Sequence, residues 1–549
     1  MHKKILVSLC GYVTDLVKTA VCITTSNTFT LVDENSKKTV FSGSLSKSVF
    51  SEEIGEYVKI ADFSSFSVNG TYYVKCGFRR SDPFVISSDA YSSLSSLLLS
   101  GIFLNRCGYD YLSGNQDDSS ERTIYFRNAC HNEMVPMFFG DNKLDAAGGW
   151  HCGEGYGKSV AETALTCALM LYTLKIFPDA YDEKFRGELT DECRWGIEWL
   201  LKMQTPDGGV YHKCDTSKRT AFPSDPANDS NDYYVFPKSY KDALLFTAVT
   251  ALAAGVYEKT DIRFSRQLSR AATNGWLWIV NCPDYEPWAM PSGSSETCIS
   301  DIPDRDSTDD YMWVLAEMYS LTGDDLFERR FLRLLYETDS SGFSLNRTGG
   351  FASLSYLMEC GERDAAALFF IKKKFGDRAD SIISECSMNV SSSSADIFPE
   401  RSRFGEYSNL CILSDSITCM IAYMIFGMEK YLNAAVLLFQ FVLGKNPCGY
   451  SFITGSAESS PKRPRHSLSS GDDIDPPVPG MVVNGSNYFN KDPYSAWLLK
   501  KSTPPAGCYI DSEFSESNQP SVCIGAAAIM ISSFLNKCGS SVFDEYINK

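Results

Sequence analysis

The sequence predicts two fold classes in series: an all-β sandwich over residues 1–88, then an all-α array over residues 89–549. Three observations predict this. Before Ser88, short runs rich in Val, Thr, Ile and Phe recur every eight to twelve residues with polar turns between them, the spacing of a small sandwich. From Ala90 onward, apolar residues recur at helical spacing through several long segments. Those segments follow one another with no strand pattern between them, which points to paired helices and away from a β/α crossover fold.

The first strand is read at Lys4–Leu9, closed by a turn at Gly11-Tyr12. Ala20–Thr24, Thr28–Val32, Tyr57–Ile60, Gly70–Cys76 and Phe84–Ile86 follow, and Tyr72-Tyr73-Val74 alternates as a half-buried strand does. Helices are read at Ser159–Phe177, Glu192–Gln204, Ser239–Lys259, Asp309–Thr322, Asn409–Phe426, Glu429–Leu443 and Ser521–Asn536. Gly, Pro and Asp-rich loops punctuate them. The stretch Ser460–Ser502 is too long to be a mere connector.

Composition narrows the function. A net charge of −17 repels nucleic acid and anionic membrane, and suits a neutral ligand such as a sugar. No uninterrupted run of about 18 apolar residues is present, so no membrane span is expected. The apolar run near the N-terminus is short and broken by Ser8, and reads as a strand in preference to a signal peptide. Nineteen Cys, an odd number without a framework of spacings, fit a reducing compartment and predict a cytoplasmic protein.

The densest motif is GGWHCGEGYGKS, from Gly148 to Ser159. Other long motifs are FLNRCG (Phe103–Gly108), WGIEWLLKMQTPDGGVYHK (Trp195–Lys213), LGKNPCGYSFITG (Leu443–Gly455) and GDDIDPPVPGMVVNGSN (Gly471–Asn487). In this order, and after an opening ILVSLCGY and a later ADFSSFSVNGTYYV, they resemble the family 9 glycoside hydrolases that carry an N-terminal immunoglobulin-like domain. The resemblance covers nearly the whole chain. It implies an immunoglobulin-like sandwich followed by an (α/α)6 toroid, and a cleft for β-1,4-linked oligosaccharides.

The same resemblance exposes departures. The family segment reads Gly-Gly-Trp-(His/Tyr)-Asp-Ala-Gly-Asp-Tyr-Gly-Lys, whose two Asp prepare the attacking water. Here the supporting Asp falls on Cys152 and the base on Gly155. The general acid falls on Gln519, after Asn518. In the family's Pro-His-His-Arg pattern, the first His and the Arg, which contact substrate, become Arg465 and Ser467 around His466. An inverting glycosidase needs an acid and a base on opposite sides of the scissile bond. The expected function is therefore a glycan-binding protein with hydrolysis lost or nearly lost. The alternative is an active inverting, exo-acting glycosidase with Glu154 as base and Glu516 as acid; Asp145, Asp511 and Glu513 are weaker substitutes. A third reading turns Arg465 toward a phosphate or carboxylate on a modified sugar.

Trp150, Tyr211, His212, Tyr407, Tyr450, Arg465 and His466 are the expected sugar contacts, with Trp288 and Trp313 beside them; each aromatic has packing as its alternative. Cys107, Cys130, His131 and His151 supply two thiolates and two imidazoles, enough for a closed tetrahedral zinc site, and the resemblance implies a structural zinc in this region. The alternative is ordinary core thiols with two loop histidines. Asp301, Asp304, Asp306, Asp309 and Asp310 offer oxygen ligands of a density that calcium takes. Against that, Asp306 or Ser307 caps the helix expected from Asp309.

Overall fold

The computed structural model describes residues 4–114, 124–218, 225–226, 228–282, 288–292, 307–338, 341–344, 346–358, 363–386, 397–471 and 474–536. They form two compact units. One is drawn from Met1–Gly101, Asp377–Arg465 and Asp475–Ser540, the other from Ile102–Gly376 and His466–Ile474.

The first unit opens with the sandwich. Its strands are β1 (Ile5–Leu6), β2 (Tyr12–Val13), β3 (Thr19–Cys22), β4 (Thr28–Asp33), β5 (Thr39–Ser44), β6 (Val49–Ser51), β7 (Glu56–Asp62), β8 (Gly70–Cys76), β9 (Arg79–Arg80) and β10 (Phe84–Ser87). One sheet runs β1-β3-β7-β6; the other runs β2-β10-β8-β4-β5, with β9 paired to β8. Alternation decides what faces inward: Tyr72, Val74 and Cys76 of β8 are buried while Lys75 is exposed. They meet Phe29, Leu31, Phe63, Phe84 and Ile86 in one apolar core. Tyr12 sits at its centre, edge-on to Phe63 and Phe84, and its hydroxyl donates to the Thr19 carbonyl at 2.9 Å. The expected turn at Gly11-Tyr12 is thus half a turn: Gly11 has φ +94°, but Tyr12 already opens a strand parallel to β10.

Within this unit the sandwich is tied to helical segments. Leu9 N–H donates to the Leu443 carbonyl (2.8 Å), the Gln440 amide to the Val17 carbonyl (2.9 Å), and the Lys445 ammonium to the Thr19 hydroxyl (3.0 Å).

Twelve helices of nine residues or more occur among the described residues. They are α1 (Ser92–Leu104), α2 (Val160–Ile176), α3 (Glu183–Met203), α4 (Tyr240–Tyr257), α5 (Ile262–Asn281), α6 (Thr308–Thr322), α7 (Asp325–Leu335), α8 (Gly349–Leu357), α9 (Ala365–Cys386), α10 (Ser408–Phe426), α11 (Glu429–Val442) and α12 (Val522–Asn536). The even-numbered helices α2, α4, α8 and α12 are buried on nearly every face, and α6 and α10 over most of theirs; α3, α5 and α7 bury one stripe and wet the other. In the second unit α2, α4, α6 and α8 pack in series, with α3 against α2, α5 against α4 and α7 against α6. In the first, α10 packs on α12 and α11 lies against both. Helix α10 is long and apolar enough, by length and composition alone, to cross a membrane.

This alternation places the motifs. Gly148–Ser159 feeds directly into α2, whose N-cap Ser159 accepts from Glu162 N–H at 3.3 Å. Tyr211–Lys213 precedes α4, capped by Ser239; Tyr407 begins α10 and Gln519 precedes α12.

One close approach fixes the loop after Pro479. Gly480 has φ +83°, and a Cβ there would lie 1.9 Å from the Leu97 carbonyl oxygen in α1. Gly480→Ala is expected to cost at least about 2 kcal/mol of stability in denaturant unfolding, by backbone clash plus strain. A change under about 0.5 kcal/mol would show that the loop is not seated on α1 as described.

Candidate functional site

The Gly148–Ser159 loop is held by a buried carboxylate. Glu192 on α3 accepts from Arg106 Nε (3.1 Å), Arg106 Nη2 (2.9 Å) and Trp150 Nε1 (2.6 Å). All three residues are buried. Around them the loop backbone has further fixings. Trp195 Nε1 donates to Gly149 O (2.9 Å), Trp199 Nε1 to Ala146 O (3.2 Å) and Lys202 Nζ to Ala147 O (2.8 Å). The fully buried Lys158 ammonium donates to the carbonyls of Gly148 (3.0 Å) and Ala146. Gly196 is required beneath this loop, since a Cβ there would meet the Trp150 ring at 2.2 Å. Trp150 is therefore a packing residue with its N–H consumed, and the expected sugar platform at this position is corrected.

Beside Arg106 and Trp150 lie Cys107 and His151. Cys107 N–H donates to Gly149 O at 2.9 Å; His151 N–H donates to Asn105 O at 3.1 Å. With Cys130 and His131 they form a cluster whose four donor atoms all lie within 4.8 Å of one another. The His151 Nδ1–H donates to Tyr156 O (3.1 Å), leaving Nε2 3.5 Å from the Cys130 sulfur. His131 Nε2–H donates to the Asp229 carboxylate (3.1 Å), and its Nδ1 is buried without a hydrogen bond. Its backbone sits at φ +53°, a conformation uncommon outside glycine. Hydrogen bonding from Cys130 holds the Cys107 thiol well below its usual range against desolvation, and the Lys158 ammonium 3.3 Å away adds to this. Desolvation lowers His151 to about 4, so its imidazole is neutral. A ready thiolate, a neutral imidazole and an unpaired ring nitrogen are what a metal ion takes as ligands.

The positions that the family resemblance assigns to catalysis fall as follows. Cys152 is buried, its N–H donating to Gly157 O at 2.8 Å, and Gly155 is buried. Glu154 is 3% exposed, and its carbonyl accepts from Ser467 N–H at 2.9 Å. His466 is buried between Asn105 Oδ1 (3.2 Å at Nε2) and Ser469 Oγ (2.9 Å at Nδ1), so it braces the loop and is closed to a sugar. Desolvation pushes it down to about 3. Asp145 is committed to Lys202 (2.9 Å) and to Ala147 N–H (3.1 Å).

In the other unit, Gln519 ends a short 3-10 turn, Glu516–Asn518, and its carbonyl accepts from Asn484 N–H at 2.8 Å. Glu516 is half-buried at the start of that turn, with its N–H on Asp492 (3.1 Å). Asp511 is corrected as a spare acid: it accepts from the backbone N–H groups of Lys462 and Arg463 and from the Asn518 amide, joining the two segments. Glu513 is half-buried. Arg465 donates to Phe514 O at 3.0 Å. Tyr450 is half-buried against Tyr509; Tyr407, half-buried, holds φ +57° at the head of α10.

Tyr211 is half-buried. His212 is buried, donates from Nδ1 to Asp242 at 2.6 Å and stacks on Trp288 with ring centroids 4.0 Å apart. Trp313 is a core residue donating to Glu317 at 3.0 Å. Of the expected calcium ligands, Asp301, Asp304 and Asp306 lie outside the described residues. Asp310 is buried and committed to Lys241 (2.9 Å) and the Thr348 hydroxyl (2.5 Å), so it is no open ligand. Ser307 occupies the cap position of α6 without a side-chain cap bond, which corrects the expected cap at that residue. Sequence reasoning missed Glu192, Asn105 and Asp229; a lone carboxylate or amide in mid-helix or mid-loop carries no local signal.

Comparison with known proteins agrees with this layout. The model of glycosyl hydrolase family 9 matches residues 91–532, and that of the cellulase N-terminal ig-like domain matches residues 1–81. A cellodextrinase of Butyrivibrio fibrisolvens is 27% identical over 93% of this chain and 95% of its own. A xyloglucan-specific endo-beta-1,4-glucanase of Bacteroides ovatus is 26% identical over 86% and 84%. The crystal structure of a Zn-binding triple mutant of the family 9 endoglucanase J30 superposes with a TM-score of 0.85 at 24% identity, covering 95% of this chain and 99% of that one. The fold is thus an immunoglobulin-like sandwich followed by an (α/α)6 helical domain.

Arg106→Met would leave the Glu192 carboxylate buried without its cation. It is expected to cost about 3–5 kcal/mol in denaturant unfolding. A cost below about 1 kcal/mol would mean that Glu192 does not organise the loop.

Proposed function

The chain belongs to glycosyl hydrolase family 9, and from that premise we propose that it binds β-1,4-linked oligosaccharides with hydrolysis lost or strongly impaired. One observation carries this reading. The frame of the first catalytic motif is intact and rigidly fixed, while its two Asp positions are Cys152 and Gly155 and the acid position is Gln519. None of the three can exchange a proton in the required role. General acid and base assistance are each worth roughly 10²–10⁴-fold in rate. The Ser467–Glu154 and Cys152–Gly157 backbone bonds pin the loop that carries Glu154, so its backbone is not free to swing toward the base position. The names of the relatives, a cellodextrinase and a xyloglucan-specific endo-beta-1,4-glucanase, support a β-1,4-glucan as ligand class.

Zinc at Cys107, Cys130, His131 and His151 is part of the proposal. A tetrahedral zinc shell spaces its donors about 3.3–3.8 Å apart, so closing the cluster needs shifts of about 1 Å or less. Asp229 and Tyr156 O supply the outer partners that orient both imidazoles. Zinc here would tie the Cys107 segment to the Gly148–Ser159 loop and take no part in proton transfer. The 16 described cysteines are all free thiols, which supports a reducing, cytoplasmic setting.

Calorimetry with cellotetraose should show saturable binding, and chromatography of the same mixtures should show no product beyond background. Turnover that disappears in Glu154→Gln would overturn the proposal in favour of relocated carboxylates. Elemental analysis is expected to find one zinc per chain, and none in Cys107→Ala/His131→Ala. Zinc at about 100 times its Kd should stabilise the parent by about 2.7 kcal/mol and leave the double variant unmoved. Equal stabilisation of both would exclude this cluster.

A further inference from the structure

Helix α5 carries a charge pattern that its own stability does not explain. Arg263, Arg266 and Arg270 follow at spacings of three and four, on one face, within the N-terminal half of the helix. Like charges at both spacings destabilise a helix, and cations at its N-terminal end oppose the macrodipole. The helix contains no acidic residue to offset them. None of the three guanidinium groups makes a hydrogen bond or ion pair among the described residues, in a chain whose net charge is −17. The nearest paired arginine, Arg194 on α3, is by contrast bound to Glu198 and Asp261.

These arginines line a shallow open cleft of about 400 Å³ between α3 and α5. Gln204 and Leu201 close it from α3; Gln267 and Asn274 continue the arginine face along α5. The three cations span seven residues, about 10 Å of helix. The cleft therefore offers a row of planar donors for anionic groups, interleaved with amides that can read hydroxyls.

We propose that this cleft binds a short anionic oligosaccharide, one bearing two or three carboxylates or phosphates along its length. An extended polyanion such as nucleic acid would meet the repulsion of the whole acidic molecule, whereas a short saccharide meets mainly the local field. The site lies outside the loops of the proposed glycan cleft and does not depend on that reading.

The probe is trigalacturonate, titrated calorimetrically into the full chain at low ionic strength. Saturable binding is expected that weakens with salt, and by at least about tenfold in Arg266→Gln/Arg270→Gln. The thermal midpoint of that variant should match or exceed the parent's, because like-charge repulsion is relieved. Cellotriose should not displace the probe. Absence of saturable trigalacturonate binding, or binding unaffected by the double substitution, overturns the proposal. So does tighter binding of inorganic phosphate or of a short single-stranded oligonucleotide, which would assign the cleft to a simple anion or to nucleic acid. Failure of cellotetraose to bind, with trigalacturonate binding retained, would count against the glycan cleft alone.

Discussion

The Glu192 carboxylate is the constraint on which the site depends. Buried in α3, it accepts from Arg106 on one segment and Trp150 on another, and so binds two pieces of chain separated by more than forty residues. A carboxylate removed from water must be fully hydrogen-bonded, which makes the pairing obligatory and not optional. The next residue after each partner is a member of the metal-ligand cluster: Cys107 follows Arg106 and His151 follows Trp150. Register along the chain thus converts one buried ion pair into the placement of two donors. Asn105 extends the same logic, bonding the His151 carbonyl through its amide and the His466 ring through its Oδ1.

The chemistry available follows from what this frame retains. Lys158, Trp195, Trp199 and Lys202 all hold carbonyls of the loop that in the family presents two Asp. Here the loop presents a buried thiol, a glycine and a carboxylate whose backbone is pinned. The Cys107, Cys130, His131 and His151 cluster belongs to the frame: three of its residues are buried and His131 is half-buried, and Asp229 and the Tyr156 carbonyl orient its two imidazoles.

Much of this was legible in the sequence. Strand β8 was read at its observed bounds, because period-two alternation between turn residues is a sharp signal. Helices α2, α4, α6, α10, α11 and α12 lie within about two residues of their expected bounds, since long apolar segments are a strong signal, sharpened at α2 and α4 by the capping serines Ser159 and Ser239. Helix α3 begins at Glu183, nine residues before its expected start: Phe185 and Leu189 extend its buried stripe, but charged residues fill the turns between them. Helices α5, α7, α8 and α9 are not among those read from the sequence: α8 is short and buried on every face and so has no amphipathic period, whereas α5 and α7 carry apolar stripes (Phe264, Leu268 and Trp278; Phe327, Phe331 and Leu335) that are present in the sequence. The four metal-ligand candidates could be named from residue chemistry, and they converge. The sugar contacts could not be separated from packing: Trp150 and His466 lie in motif loops and Trp313 in α6, yet each is buried with its polar atoms spent. Asp229 and Glu192 act only through tertiary partners, which no local pattern encodes.

In the proposed function the frame of the motif persists while Cys152, Gly155 and Gln519 stand where the family has its proton-transfer groups. Restoring them should therefore restore chemistry on an otherwise unchanged scaffold. The decisive measurement is the rate of product release from cellotetraose by the parent and by Cys152→Asp/Gly155→Asp/Gln519→Glu, each with its oligosaccharide affinity measured in parallel. Background release is expected from the parent, with a gain of at least about 10²-fold in the triple variant and similar affinities. Release by the parent equal to or faster than that of the variant would contradict it.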